Sequence, residues 1–105
     1  MHVQIVNFHL KNATEQQYAT LCDQIAPAFA AVPGLLSKIW LADSTSGTYG
    51  GVYVWENSEA MKQYLASDLC KTVMSHPNLA DITSRDFGVL QEPTGVTRGL
   101  VAAHA

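Results

Sequence analysis

A chain of 105 residues has room for one domain, and its 48% hydrophobic and 14% charged residues describe a packed globule rather than a disordered segment. A net charge of −3 with no basic run argues against a nucleic-acid partner. No apolar run approaches the roughly 20 residues of a membrane-spanning helix, and the opening Met-His-Val-Gln-Ile lacks the basic segment of a signal peptide. Cys22 and Cys70 stand far apart in helical patterns, which predicts buried, reduced thiols in a cytoplasmic protein.

His2–Leu10 alternates as a strand, with Gln4, Val6, Phe8 and Leu10 on one face and Val3, Ile5, Asn7 and His9 on the other. Neither face is cleanly polar, so burial on both sides is expected. Thr14 is suited to cap a helix, with Glu15 in the first turn. Tyr18, Leu21, Cys22, Ile25, Phe29 and Val32 then recur at steps of three and four, which predicts an amphipathic helix of about five turns. Pro27 is expected to kink it, and Pro33-Gly34 to end it.

Leu35–Asp43 and Tyr49–Glu56 are rich in branched and aromatic residues and read as two strands joined by the polar turn Asp43-Ser-Thr-Ser-Gly47. Gly50-Gly51 lies inside the second strand, where a bulge or a close approach of another backbone is the expected role; it is not a phosphate loop. Ser58 is the expected cap of a second helix carrying Met61, Tyr64, Leu65, Leu69 and Val73, with a bend at Asp68 and a stop at His76-Pro77-Asn78. Asp81–Gln91 reads as the last strand, broken by Glu92-Pro93-Thr94-Gly95. The small-residue tail ending Leu100-Val-Ala-Ala-His-Ala105 is expected to pack on a neighbour or to be disordered.

The predicted order is β-α-β-β-α-β, the ferredoxin-like α+β arrangement, with a four-stranded antiparallel sheet carrying two main helices on one face. Leu35, Ile39, Leu41, Val52 and Val54 form an aliphatic set, which is expected to receive the helices. Lys38, Trp40, Tyr53 and Trp55, joined by Phe87 or Phe8, form an aromatic set, expected on the face left for a ligand cavity or a second subunit. A bare aromatic face of that size predicts a homodimer.

The runs Pro33-Gly34-Leu35, Lys38-Ile39-Trp40, Gly50-Gly51-Val52-Tyr53-Val54 and Tyr64-Leu65, with Glu92-Pro93 after the last strand, resemble the YdhR-like mono-oxygenase family of the dimeric α+β barrel superfamily. The resemblance covers nearly the whole chain and is densest from Pro33 to Leu65. It contains no catalytic signature. It implies a dimeric α+β barrel and oxygen insertion into a small aromatic or polyketide-like substrate, with no metal, flavin or haem. Two departures stand out: Ser37 takes the place of a large aromatic, and the last strand is one residue longer before Glu92-Pro93.

Cofactor-free oxygenation asks the protein to bind a ring, stabilise an oxyanion and exclude water. Trp40, Tyr53 and Trp55, with Asn7 and Phe87, are the candidate substrate-binding residues; the same aromatics also suit a dimer core. Lys38 and Arg85 are candidates to stabilise an oxyanion, against an ordinary role as solvated strand residues. His9 is a candidate general base, against an ordinary role as an exposed strand-end histidine. The four histidines show no H-x-x-x-H or H-x-E spacing, so no metal is expected. Two other readings use the same pocket: an isomerase, cyclase or decarboxylase, and a non-enzymatic ligand-binding or stress-associated protein.

Overall fold

In a computed structural model of the chain, which describes residues 1–100, four strands form one antiparallel sheet. They are β1 (His2–Leu10), β2 (Leu35–Asp43), β3 (Thr48–Trp55) and β4 (Leu79–Gly88), in the spatial order β2-β3-β1-β4. The helices are α1 (Glu15–Ala30), α2 (Ser58–Leu65), α3 (Asp68–Met74) and a short α4 (Gln91–Val96). This is the ferredoxin-like order, with the second helical segment split in two and a helical turn added after β4. The expected tail is the last ten residues; of these Val96 closes α4 instead, and residues 101–105 lie outside the described residues.

Local chemistry explains most boundaries. Thr14 caps α1 in a reciprocal box: its hydroxyl accepts the Gln17 amide at 3.1 Å, and the Gln17 side chain accepts the Thr14 amide at 2.9 Å. The helix runs unbroken through Pro27 to Ala30; Pro27 is exposed, so water can serve the carbonyl it leaves without a donor. Asn57, not Ser58, caps α2, accepting the Ala60 amide at 2.9 Å, and Ser67 caps α3. In the β2–β3 turn, Asp43 accepts from the Thr45 amide and the Ser46 hydroxyl, and Gly47 takes φ +70°.

The last strand ends three residues before the predicted Gln91. Leu90 precedes α4, which starts at Gln91 instead, and Pro93 fits its third position, where a helix has no internal partner for an N–H. Gly50 confirms the close approach expected in β3: a Cβ there would lie 1.8 Å from the Val6 carbonyl oxygen, at φ +150°.

The two faces of the sheet are the reverse of the expectation. Helices α1 to α3 cover the aromatic set, not the aliphatic one: Tyr53 is 3% and Trp55 0% exposed, and Phe29 of α1 meets the rings of Trp40 and Tyr53 at 5.4 and 6.0 Å. Val3, Ile5, Ile39, Val52, Val54 and Phe87 share the opposite face, and Ile39 and Phe87 are 57% and 49% exposed. Large rings remove more area from water than valines do, so the face that buries rings under helices is the favourable one. A register shift between Leu35 and Ser37 also separates Leu35 from Ile39 and Leu41; Leu35 stands opposite Trp55 and packs into the core.

One polar thread crosses this core. Trp55 Nε1 donates to Gln4 Oε1 at 3.1 Å, and Gln4 Nε2 donates to Ser84 Oγ at 3.0 Å, so the 1% exposed amide is satisfied on both sides.

Candidate functional site

Helices α1 and α3 do not seat fully on the sheet. Between them and β1–β3 lies a cavity of about 100 Å³. Its floor is Val6 and Phe8 of β1, Lys38 and Trp40 of β2, and Tyr53 of β3. Tyr18, Cys22 and Ile25 of α1 form one wall, and Val73 and Met74 of α3 the other, with His76 and Leu79 at the α3–β4 connection. The lining is apolar apart from a handful of groups, the usual composition of a small-molecule site.

Lys38 is the dominant electrostatic feature. Its Nζ stands 3.4 Å from the ring centroid of Trp40, 3.5 Å from that of Phe29 and 4.7 Å from that of Tyr53. No carboxylate among the described residues pairs with it. Burial favours the neutral amine and lowers the Lys38 pKa to about 7, while Cys22 acts weakly the other way. The three ring faces also favour the ammonium, since each presents negative π density to the charge. Both protonation states are therefore accessible near neutral pH. Gly51 leaves room for this arrangement: a Cβ there would stand 3.0 Å from Lys38 Cε.

Cys22 and Tyr18 are one helical turn apart on α1 and face the same space. Burial pushes the Tyr18 hydroxyl well above its ordinary range, and the neighbouring Cys22 acts in the same direction. Burial likewise pushes the Cys22 thiol up, against the pull of Tyr18 and Lys38. Tyr53 is pushed up to about 12 by burial. These groups are protonated at neutral pH, which makes them hydrogen-bond donors and not bases. His76 Nδ1 accepts the Asn78 amide at 3.1 Å, so a neutral ring carries its proton on Nε2.

The residues singled out from the sequence divide between the two faces. Lys38, Trp40 and Tyr53 come together in the cavity. Trp55 is sealed beneath α2, stacked on Tyr53 with centroids 6.0 Å apart, and does not reach the cavity. Asn7, His9, Arg85 and Phe87 lie on the other face of the sheet, away from Lys38. Asn7 donates to the Tyr49 carbonyl at 3.4 Å, and the exposed His9 lies 3.2 Å from Asp81. Tyr18, Cys22 and His76 are the lining residues that sequence reasoning assigned to packing or to a loop. The four-residue step from Tyr18 to Cys22 signalled a shared face, but nothing in the sequence said that the face borders a void.

The architecture is that of a ferredoxin-like α+β domain with an apolar cavity between its helices and its sheet. The chain belongs to the family described as putative mono-oxygenase ydhR, whose model matches residues 3–100. No curated protein matches the sequence. Among solved structures, the chain is similar to an antibiotic biosynthesis monooxygenase, so described with the qualifier putative, from Deinococcus radiodurans, at 19% identity and TM-score 0.71, covering 87% of this chain and 94% of that one. It is similar to SnoaB, a cofactor-independent oxygenase from Streptomyces nogalater, at 20% identity and TM-score 0.67, covering 86% and 94%. It is also similar to the haem degrader MhuD from Mycobacterium tuberculosis, solved with two haems in its active site, at 19% identity and TM-score 0.70, covering 88% and 98%. At these identities the likeness establishes a shared fold.

Proposed function

We propose that this chain is a mono-oxygenase for a small phenol or enol of aromatic or polyketide-like type, working in the Lys38 cavity without metal, flavin or haem. The observation that carries the reading is an unpaired lysine in an apolar, ring-lined cavity. A cation so placed lacks an anion, and a bound phenolate supplies one. The neutral amine takes the acidic proton of the substrate, and the resulting ammonium then holds the substrate anion. The anion is itself the reductant of oxygen: the substrate loses two hydrogens, one from its hydroxyl and one from carbon, and gains one oxygen atom as a new carbonyl, while the other oxygen leaves as water. Tyr18 and Tyr53 remain protonated and can donate to the developing oxyanion, and the apolar walls keep bulk water out. Family membership and the fold shared with SnoaB support this reading.

A homodimer belongs to the same proposal. The aliphatic face carries Ile39, Val52, Val54 and Phe87 without a covering helix over its centre, and α4 reaches only one end, beside Val3 and Phe87. A second copy packed face to face would remove this patch from water. A monomer in sedimentation equilibrium at micromolar concentration refutes that part.

The test of the activity is oxygen uptake with a panel of phenols, naphthols and anthrones, preceded by tryptophan quenching, which reads Trp40 because Trp55 is sealed. Lys38→Met is expected to lower kcat/KM by about 100-fold or more. Saturable quenching with no oxygen uptake from any bound compound would refute the mono-oxygenase and favour acid–base isomerisation by the same amine.

A further inference from the structure

We infer that Lys38 is a carbonyl-capturing nucleophile, and that the cavity takes small aromatic aldehydes and holds them as an imine on Nζ. The inference does not depend on the oxygenase reading, since it needs the geometry of the lysine alone. A lysine amine acts as a nucleophile only when three conditions meet: a substantial neutral fraction, access to a ligand-sized space, and no carboxylate to hold the proton on nitrogen. Lys38 meets all three. Its neighbours are ring faces, it borders the cavity, and no described carboxylate pairs with it. Burial brings the amine to about 7, so much of it is neutral at physiological pH.

The other lysines form a natural contrast. Lys11, Lys62 and Lys71 are all solvent-exposed, and Lys62 lies 3.6 Å from Glu59. None of the three borders the cavity.

The step balances without an oxidant or reductant. The Nζ lone pair attacks the carbonyl carbon, a C–N bond forms, and the carbonyl oxygen becomes a hydroxyl by taking a proton that nitrogen gives up. Loss of that hydroxyl as water leaves the imine. The departing hydroxyl takes the second proton of the amine nitrogen, and the Tyr18 hydroxyl and the His76 Nε2–H in the lining are placed to hydrogen-bond to it as it leaves. The apolar floor of Phe8, Trp40 and Tyr53 suits an aromatic aldehyde over a hydrophilic one, and limits the hydrolysis that returns an imine to its parts. The cavity of about 100 Å³ has room for a one-ring aldehyde, the smallest probe of the class.

The experiment uses the full chain, benzaldehyde and cyanoborohydride at pH 7, with peptide mass mapping of all four lysines. Reduction fixes any imine as a stable benzylamine. Lys38 is expected to be labelled about tenfold faster or more than Lys11, Lys62 or Lys71, because its greater neutral fraction outweighs its lower intrinsic basicity. Its rate should saturate with benzaldehyde concentration and level off at a lower pH than an ordinary lysine amine would, because burial lowers its pKa, while labelling of the surface lysines rises linearly with aldehyde. Labelling of Lys38 at the rate of the surface lysines, or more slowly, overturns the inference. So does preferential labelling that rises linearly with aldehyde, because that describes an exposed amine and not a site.

Discussion

Replacing Lys38 by Met should make the protein more stable at neutral and acidic pH, and the gain should disappear in alkali. The folded chain holds the amine at about 7 against an ordinary 10.5. Below pH 7 the ammonium exists in both folded and unfolded chains, and folding bears the full cost of removing it from water. Between about 7 and 10.5 the folded chain gives up the proton while the unfolded chain keeps it, so wild-type stability rises with pH. Above 10.5 both are neutral and the cost is gone. At about 1.4 kcal/mol per pH unit the ceiling is about 5 kcal/mol. Contacts with three rings favour the ammonium by roughly 1–2 kcal/mol in all, which leaves a cost on the order of 3 kcal/mol. Met has a similar length, carries no charge and makes favourable sulfur–ring contacts, so the variant should recover most of that figure. The assay is urea denaturation of both proteins at one concentration from pH 6 to pH 10.5, read as the difference in stability. Other titrating groups, including the buried tyrosines, cancel in that difference. A variant less stable than wild type at pH 6, or a difference that stays flat across the range, would refute the account of Lys38 as a buried cation without an anion.

The Tyr64 hydroxyl is buried without a hydrogen-bond partner in good geometry, so Tyr64→Phe should raise stability by up to about 1 kcal/mol in thermal or urea denaturation; a loss of more than that would show a bond the geometry does not. Gln4→Leu strands the Trp55 indole N–H in the core, and a fall of roughly 2–3 kcal/mol in unfolding free energy is expected in urea denaturation. Gly50→Ala would drive a methyl into the Val6 carbonyl where β1 and β3 pair, and circular dichroism should show loss of the cooperative transition. Gly51→Ala is milder, because the obstructing atom belongs to the flexible Lys38 stem; the fold should survive while the labelling rate of Lys38 changes.

Much of this architecture is written in local patterns. The alternation in His2–Leu10 and Leu35–Glu56, the three-and-four spacing from Tyr18 to Val32, and the Thr14 cap each rest on interactions between near neighbours, and each element formed within a few residues of its expected place. The grouping of Lys38 with Trp40 and Tyr53 was equally legible, because strand periodicity alone decides which side chains share a face. Caps were less so: Asn57 and Ser58 are both good capping residues, and only backbone geometry chose Asn57.

Periodicity says nothing about which face the helices will cover. That choice belongs to tertiary packing, where Phe29 and Tyr64 meet the aromatic set and bury more area than the valines could offer. It also decided the site. With the aromatic face inward, Lys38 became a caged amine, Tyr18, Cys22 and His76 became its neighbours, and Asn7, His9, Arg85 and Phe87 went to the opposite surface. The sequence by itself determined the elements, their order and the residues that travel together on each strand. The tertiary structure decided which of those sets is desolvated, because desolvation depends on contacts between segments distant in the chain, and it is desolvation that lowers the pKa of Lys38.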